Sequence, residues 1–198
     1  FMLSCIGQAH QAIQRFGQRQ QPAISPRTTA VLAVIQDGVA QWAHVGDSRL
    51  YLYRASMLRL QTQDHSQVHY TRHRTTEPAR ARSSLTRCLG GLMQPPLTTC
   101  SSPVRLGAGD GLLLCTDGFW GQTSGPQLDA LFTATPETLE ARLPQLVDAT
   151  AKHYGSDNVT AVALVWTRPA DDDIDPDDDA PTSRDQAPPV EPASTDED

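Results

Sequence analysis

Two runs in this chain, TTAVLAVI at residues 28–35 and VTAVALVW at 159–166, are apolar or β-branched at nearly every position rather than at every second one. A strand of that kind has no face to give to water, so it belongs in a layered core covered on both sides. Shorter runs lie between them. Asp37-Gly38 supplies a two-residue turn, and VAQWAHV returns after it as a partner strand. LYLY at 50–53, MLRL at 57–60 after a turn at Ala55-Ser56, and LLLCT at 112–116 after Gly109-Asp110-Gly111 continue the series. Successive short strands joined by tight turns predict antiparallel sheets.

Helical spacing appears in three places. Met2, Ile6, Ala9, Ile13 and Phe16 recur every three or four residues from the first position of the chain, which predicts that the sequence starts inside a larger protein. Leu128, Leu131 and Phe132 follow Pro126 at the same spacing. Thr135-Pro136 then gives the order of N-cap and first-turn proline, with Pro144 expected to kink or divide the helix that follows. Residues 67–84 carry Arg72, Arg74, Arg80 and Arg82 with Pro78 and little periodicity, which predicts a surface segment with at most a short helix.

Charge divides the chain in two. Of 23 acidic residues 12 lie beyond Arg168, against one of 16 basic residues, so that end carries −11 and the remainder +4. Residues 169–198, nearly all Asp, Pro, Ala, Ser and Thr, cannot bury enough apolar surface to offset the entropy of ordering them, and a disordered tail is expected after a domain over residues 1–168. No apolar stretch is long enough to cross a bilayer. Cys5, Cys88, Cys100 and Cys115 have no metal-ligand spacing and look like buried, reduced thiols, which predicts a cytoplasmic setting. The arginines, including Arg87, lack interleaved aromatics other than Tyr70, so nucleic acid is not an expected partner.

Three aspartates, Asp47, Asp117 and Asp157, each stand at the start or end of an apolar strand beside small residues. Converging carboxylates in strand-end loops attract hard divalent cations, and Gly46 and Gly118 would let carbonyls or waters come close. Singly, GDS, TDG and SDN are ordinary turn signals. Asp64-His65-Ser66 reads as a helix-start cap, His44 as a packed imidazole, and Trp120 as a ring beneath the metal loop. His153 is near Asp157 in sequence only.

The ordered set TTAV, HVGDSRLYLYR, QDHS, LTRCLGG, GDGLLLCTDGFWG and SDNVTAV resembles the metal-dependent protein phosphatases, the PPM or protein phosphatase 2C type, in their bacterial form, from about Thr28 to Trp166. The resemblance implies an α+β fold, a four-layer α/β/β/α sandwich of two antiparallel sheets flanked by helices, here without its N-terminal strands. It implies hydrolysis of phosphoserine and phosphothreonine in protein substrates by a water activated by two manganese or magnesium ions, with no side-chain nucleophile. Asp117 and Asp157 would ligate the pair and Asp47 a third, weaker ion, with Gly46, Gly118 and Asn158 supporting the loops. The family's upstream Asp-Gly motif, which supplies a bridging carboxylate, has no counterpart here, so the chain alone is expected to be inactive, or to be a phosphatase-like module that binds a phosphorylated partner. Arg27 stands where many members have Gly before Thr28-Thr29; it is a candidate phosphate or substrate contact, its bland reading being the start of a strand. A monomer is expected.

Overall fold

The computed structural model describes residues 1–70, 81–91, 94, 96–133, 136–153 and 157–167. The expectations placed on Arg72, Arg74, Arg80, Thr135, Ser156 and the acidic tail lie outside these residues, as does the side chain of Arg82.

The chain opens with α1 (Met2–Gln18) and enters β1 (Ala30–Gln36), which turns at Asp37-Gly38 into β2 (Val39–Val45). Next come β3 (Arg49–Arg54), β4 (Met57–Gln61), β5 (Ser66–Tyr70), β6 (Ala81–Leu85) and the two-residue strands β7 (Thr99–Cys100) and β8 (Val104–Arg105). The described chain closes with β9 (Gly111–Cys115), α2 (Asp117–Trp120), α3 (Gly125–Phe132), α4 (Pro136–Ala151) and β10 (Ala161–Val165). One antiparallel sheet runs β1-β2-β7 with β8 also on β2, and a second runs β10-β9-β3-β4.

Three buried clusters fill the three spaces between four layers. Side chains alternate along a strand, so Leu50 and Leu52 of β3 and Leu112 of β9 meet Ala40 and Trp42 of β2 between the sheets. Their sequence neighbours Tyr51, Tyr53, Leu113 and Cys115 point the other way, onto Phe119, Leu128, Leu131, Phe132 and Leu139 of the helices. On the outer face of the first sheet Ala43 and Val45 meet Met2 and Ile6 of α1. This is the α/β/β/α layering that the family resemblance implies.

Several expectations are corrected. Ala9 and Phe16 of α1 face outward, and His10 faces inward instead, its Nδ1 accepting the Gly90 N–H at 3.2 Å. Residues 66–70 and 81–85 are strands rather than helix or loop, and among the described residues they pair only with each other. The ladder comes from backbone groups, so no hydropathy pattern announces it. Asp64-His65-Ser66 caps no helix, since Ser66 begins β5. Pro144 neither ends nor divides α4, because Leu139, Leu143, Leu146 and Val147 pack either side of it on the same cluster and hold the turns that its missing N–H weakens. β10 is an edge strand with Val162 60% exposed, not a strand buried on both faces. Of the cysteines, only Cys115 is buried; Cys100 is exposed and all four are free.

Candidate metal centre

The register of the second sheet decides where the three aspartates go. Cys115 pairs with Arg49 on one side and with Ala161 on the other, so these three residues form one row across β3, β9 and β10. Asp47 lies two residues before that row, Asp117 two after it, and Asp157 four before it. Antiparallel pairing therefore sends all three past the same end of the sheet.

Contacts narrow the placement. Thr116 Nα donates to the Thr160 carbonyl at 3.1 Å, and its Oγ1 donates to the Asn158 carbonyl at 3.1 Å. A Cβ on Gly118 would run into the Asn158 carbonyl oxygen and lie 3.2 Å from the Asp157 carbonyl carbon, so the two backbones touch only because this residue has no side chain. Asp117 heads the single turn α2 rather than sitting in a loop. One oxygen of each exposed carboxylate accepts the N–H of the following residue, Gly118 for Asp117 at 3.0 Å and Asn158 for Asp157 at 2.7 Å. Among the described residues the other oxygen of each has no hydrogen bond.

Asp47 belongs to the same constellation by charge. Burial raises its pKa above the ordinary carboxylate value, and the negative charge of Asp117 raises it further. Carboxylate oxygens that repel one another are what a hard divalent cation relieves, so the donor chemistry fits such an ion. Among the described residues, however, no three His, Cys, Asp or Glu side chains stand close enough to form a metal-binding group on their own.

The Asp47 loop is held from several sides. Gly46, at φ +106°, occupies a conformation that side chains rarely adopt, and a Cβ there would strike the Thr29 side chain. His65 grips Gly46 twice: its backbone N–H donates to the Gly46 carbonyl at 3.0 Å, and its Nδ1 accepts the Gly46 N–H at 3.2 Å. An accepting Nδ1 leaves the proton on Nε2, which faces Thr99 Oγ1 at 2.8 Å. The His44 ring stacks on His65 with centroids 4.5 Å apart and is bonded through Nε2 to the Gln63 carbonyl, so it is a packed imidazole as its sequence suggests. Trp120 Nε1 donates to the Asp47 carbonyl at 2.9 Å. Arg49 lies over the Trp120 ring, 3.4 Å from its centroid, and is fixed by two 2.8 Å bonds to the Asp64 carboxylate.

Arg49, Asp64 and Arg87 were not singled out as site residues by the sequence reading. The turn at Ala55-Ser56 places β3 against β4 but not their register: a shift between Leu52 and Tyr53 pairs Tyr51 with Gln61, which brings position 49 opposite 63, beside Asp64. Ser48 joins the loop to β1 through a 2.8 Å contact with Thr29 Oγ1. His153 is exposed and has no described contact with the aspartates. Arg27 lines a cleft with Arg87, and among the described residues no hydrogen bond or ion pair joins it to the three aspartates.

No family model matches the chain. It is 34% identical over 164 residues to protein phosphatase PhpP of Streptococcus pneumoniae, covering 79% of this chain and 64% of that protein. The chain spans between 56% and 64% of the length of the curated relatives it matches. Among solved structures, the serine/threonine phosphatase of S. agalactiae superposes with a TM-score of 0.66 at 24% identity, over 84% of this chain and 69% of that one. The catalytic domain of the serine/threonine protein phosphatase PstP in complex with two manganese ions superposes at 0.58 with 26% identity, over 80% of this chain and 67% of that one. With two layered antiparallel sheets flanked by helices and relatives of this kind, the chain belongs to the PPM-type family of bacterial serine/threonine phosphatases.

Proposed function

We propose that the protein acts as a metal-dependent phosphatase on phosphoserine and phosphothreonine residues of proteins. The observation that carries this reading is the single row Arg49, Cys115 and Ala161, beyond whose end all three aspartates emerge. Asp117 and Asp157 hold the ions, each with a carboxylate oxygen free of its neighbour's N–H, and Asp47 supplies a third carboxylate beside Asp117. When bound, manganese or magnesium supplies Lewis-acid activation of water and neutralises charge on the phosphoryl group. The protein's own part is orientation. Gly118 lets the Asp157-Asn158 backbone come alongside Asp117, while His65 and Trp120 fix the backbone on either side of the Asp47 Cα. No side chain is needed as a nucleophile.

A second reading, a phosphatase-like module that binds a phosphorylated partner without turning it over, is favoured by one observation. The described residues form no metal-binding group of three. Because the chain alone is expected to be inactive, titrating the protein together with whatever sequence its gene encodes ahead of Phe1 with Mn²⁺, while recording phosphate release from a phosphothreonine peptide, separates the two. Release that saturates with Mn²⁺ and is lost in Asp117→Asn and Asp157→Asn supports the enzyme. Peptide binding without release supports the module, and release unaffected by both substitutions overturns the assignment of these aspartates.

A further inference from the structure

Beside the metal centre lies a small cleft lined by Arg27, Leu85, Thr86, Arg87, Cys88, Gly91 and Leu97, with a volume of about 180 Å³. Among the described residues two arginines line it and no Asp or Glu does. Among the described residues the Arg27 side chain has neither a hydrogen bond nor an ion pair. The Arg87 Nη1 has only long contacts, 3.4 Å to His65 Nε2 and 3.5 Å to Thr99 Oγ1. The first of these is no hydrogen bond, because the Gly46 N–H occupies His65 Nδ1 and leaves the proton on Nε2. Two cations therefore share a cleft, with most of their donors unused among the described residues. Like charges side by side are unfavourable unless an anion lies between them, and guanidinium forks match carboxylate and phosphate oxygens.

Size and position narrow the ligand. A cleft of this volume is below the range that takes a drug-sized molecule but admits one side chain. Leu85 and Leu97, both exposed, give aliphatic walls for the stem of such a side chain. Arg87 is one imidazole away from Gly46, so the cleft adjoins the Asp47 loop.

We propose that the Arg27-Arg87 cleft is a subsite for an anionic side chain, Asp, Glu or a second phosphorylated residue, that flanks the target residue of a peptide substrate. The word substrate rests on the phosphatase reading; the anion recognition does not.

The test uses the full chain labelled with ¹⁵N, in EDTA, and follows the Arg Nε–H signals while peptides are added. Three peptides share one sequence and carry Glu, phosphoserine or Ala at one position, and inorganic phosphate is titrated alone. The Arg27 and Arg87 signals are expected to move with the Glu or the phosphoserine peptide at concentrations about three- to tenfold lower than with the Ala peptide. Whichever of the two moves them further identifies the anion. Arg27→Ala, an exposed position, is expected to remove most of that advantage without changing the melting temperature. Equal shifts with all three peptides, or an acidic advantage that survives Arg27→Ala, would overturn the proposal, as would inorganic phosphate binding as tightly as the phosphoserine peptide. Phosphate release with Mn²⁺ is measured separately on the wild type, so failure of the phosphatase reading and failure of the subsite give different results.

Discussion

The Asp47 loop and the Asp117-Asp157 corner meet at one end of the same sheet, yet they are built in opposite ways. The loop is braced: Gly46 is buried at positive φ, His65 bonds both its backbone groups, and Trp120, Arg49 and Asp64 form a chain of contacts that ends on the Asp47 carbonyl. The corner is open: Asp117 and Asp157 are exposed, and their strands are joined by the bonds of Thr116 to the Asn158 and Thr160 backbone and by the close approach of Gly118 to the Asn158 carbonyl. The loop backbone is held by side chains from several elements, whereas the alignment of the exposed pair depends on this one backbone fit. Damage to the loop should therefore appear as lost stability and damage to the corner as lost ion affinity.

The largest effect is expected at the loop. Gly46→Ala adds a Cβ against Thr29 in a backbone conformation that alanine resists, and should cost about 3 kcal/mol of unfolding free energy, read from urea denaturation. A loss no greater than that of an exposed substitution would show the loop to be unbraced. Gly118→Ala should weaken Mn²⁺ binding about tenfold in calorimetric titration while costing about 1–2 kcal/mol of stability. Unchanged affinity there would mean that the two aspartates do not share an ion.

Asp64→Asn is smaller. The Arg49-Asp64 pair is about four-fifths buried at each side chain, so replacing the carboxylate by an amide should cost about 1 kcal/mol, with urea unfolding again the measurement. The smallest effect concerns alkali. Tyr51 Oη accepts a bond from Arg49 at 3.2 Å, and burial, the largest influence on it, raises the phenol pKa above its ordinary value. Above a pH of about 10 the unfolded chain releases the phenolic proton while the folded chain keeps it, so stability falls as pH rises through that window. Tyr51→Phe should make the fall shallower, and an unchanged slope would remove Tyr51 from the brace.

Much of the architecture is legible because local chemistry and packing agree. Asp37-Gly38 marks its own turn, and Leu128, Leu131 and Phe132 are all buried as their spacing predicts. The strands at 66–70 and 81–85 are not legible, since their pairing rests on backbone groups that every residue carries. The continuity of α4 through Pro144 is hidden for a different reason: tertiary packing overrides local propensity. In the site, the aspartates announce themselves by standing at the ends of apolar runs. Their supports do not, because Asp64 reaches Arg49 only through the register of a hairpin, and Trp120 reaches Asp47 across 73 positions of chain.

The order of strands in the second sheet also sets a timetable for synthesis. β9 sits between β3 and β10, so β9 lacks one of its two neighbours until the chain has grown past Val165. Early segments can fold around the first hairpin as they leave the ribosome, but Asp157 arrives last and takes its place only when β10 docks. A nascent chain would thus bring its three aspartates to one end of the sheet only once β10 has been made.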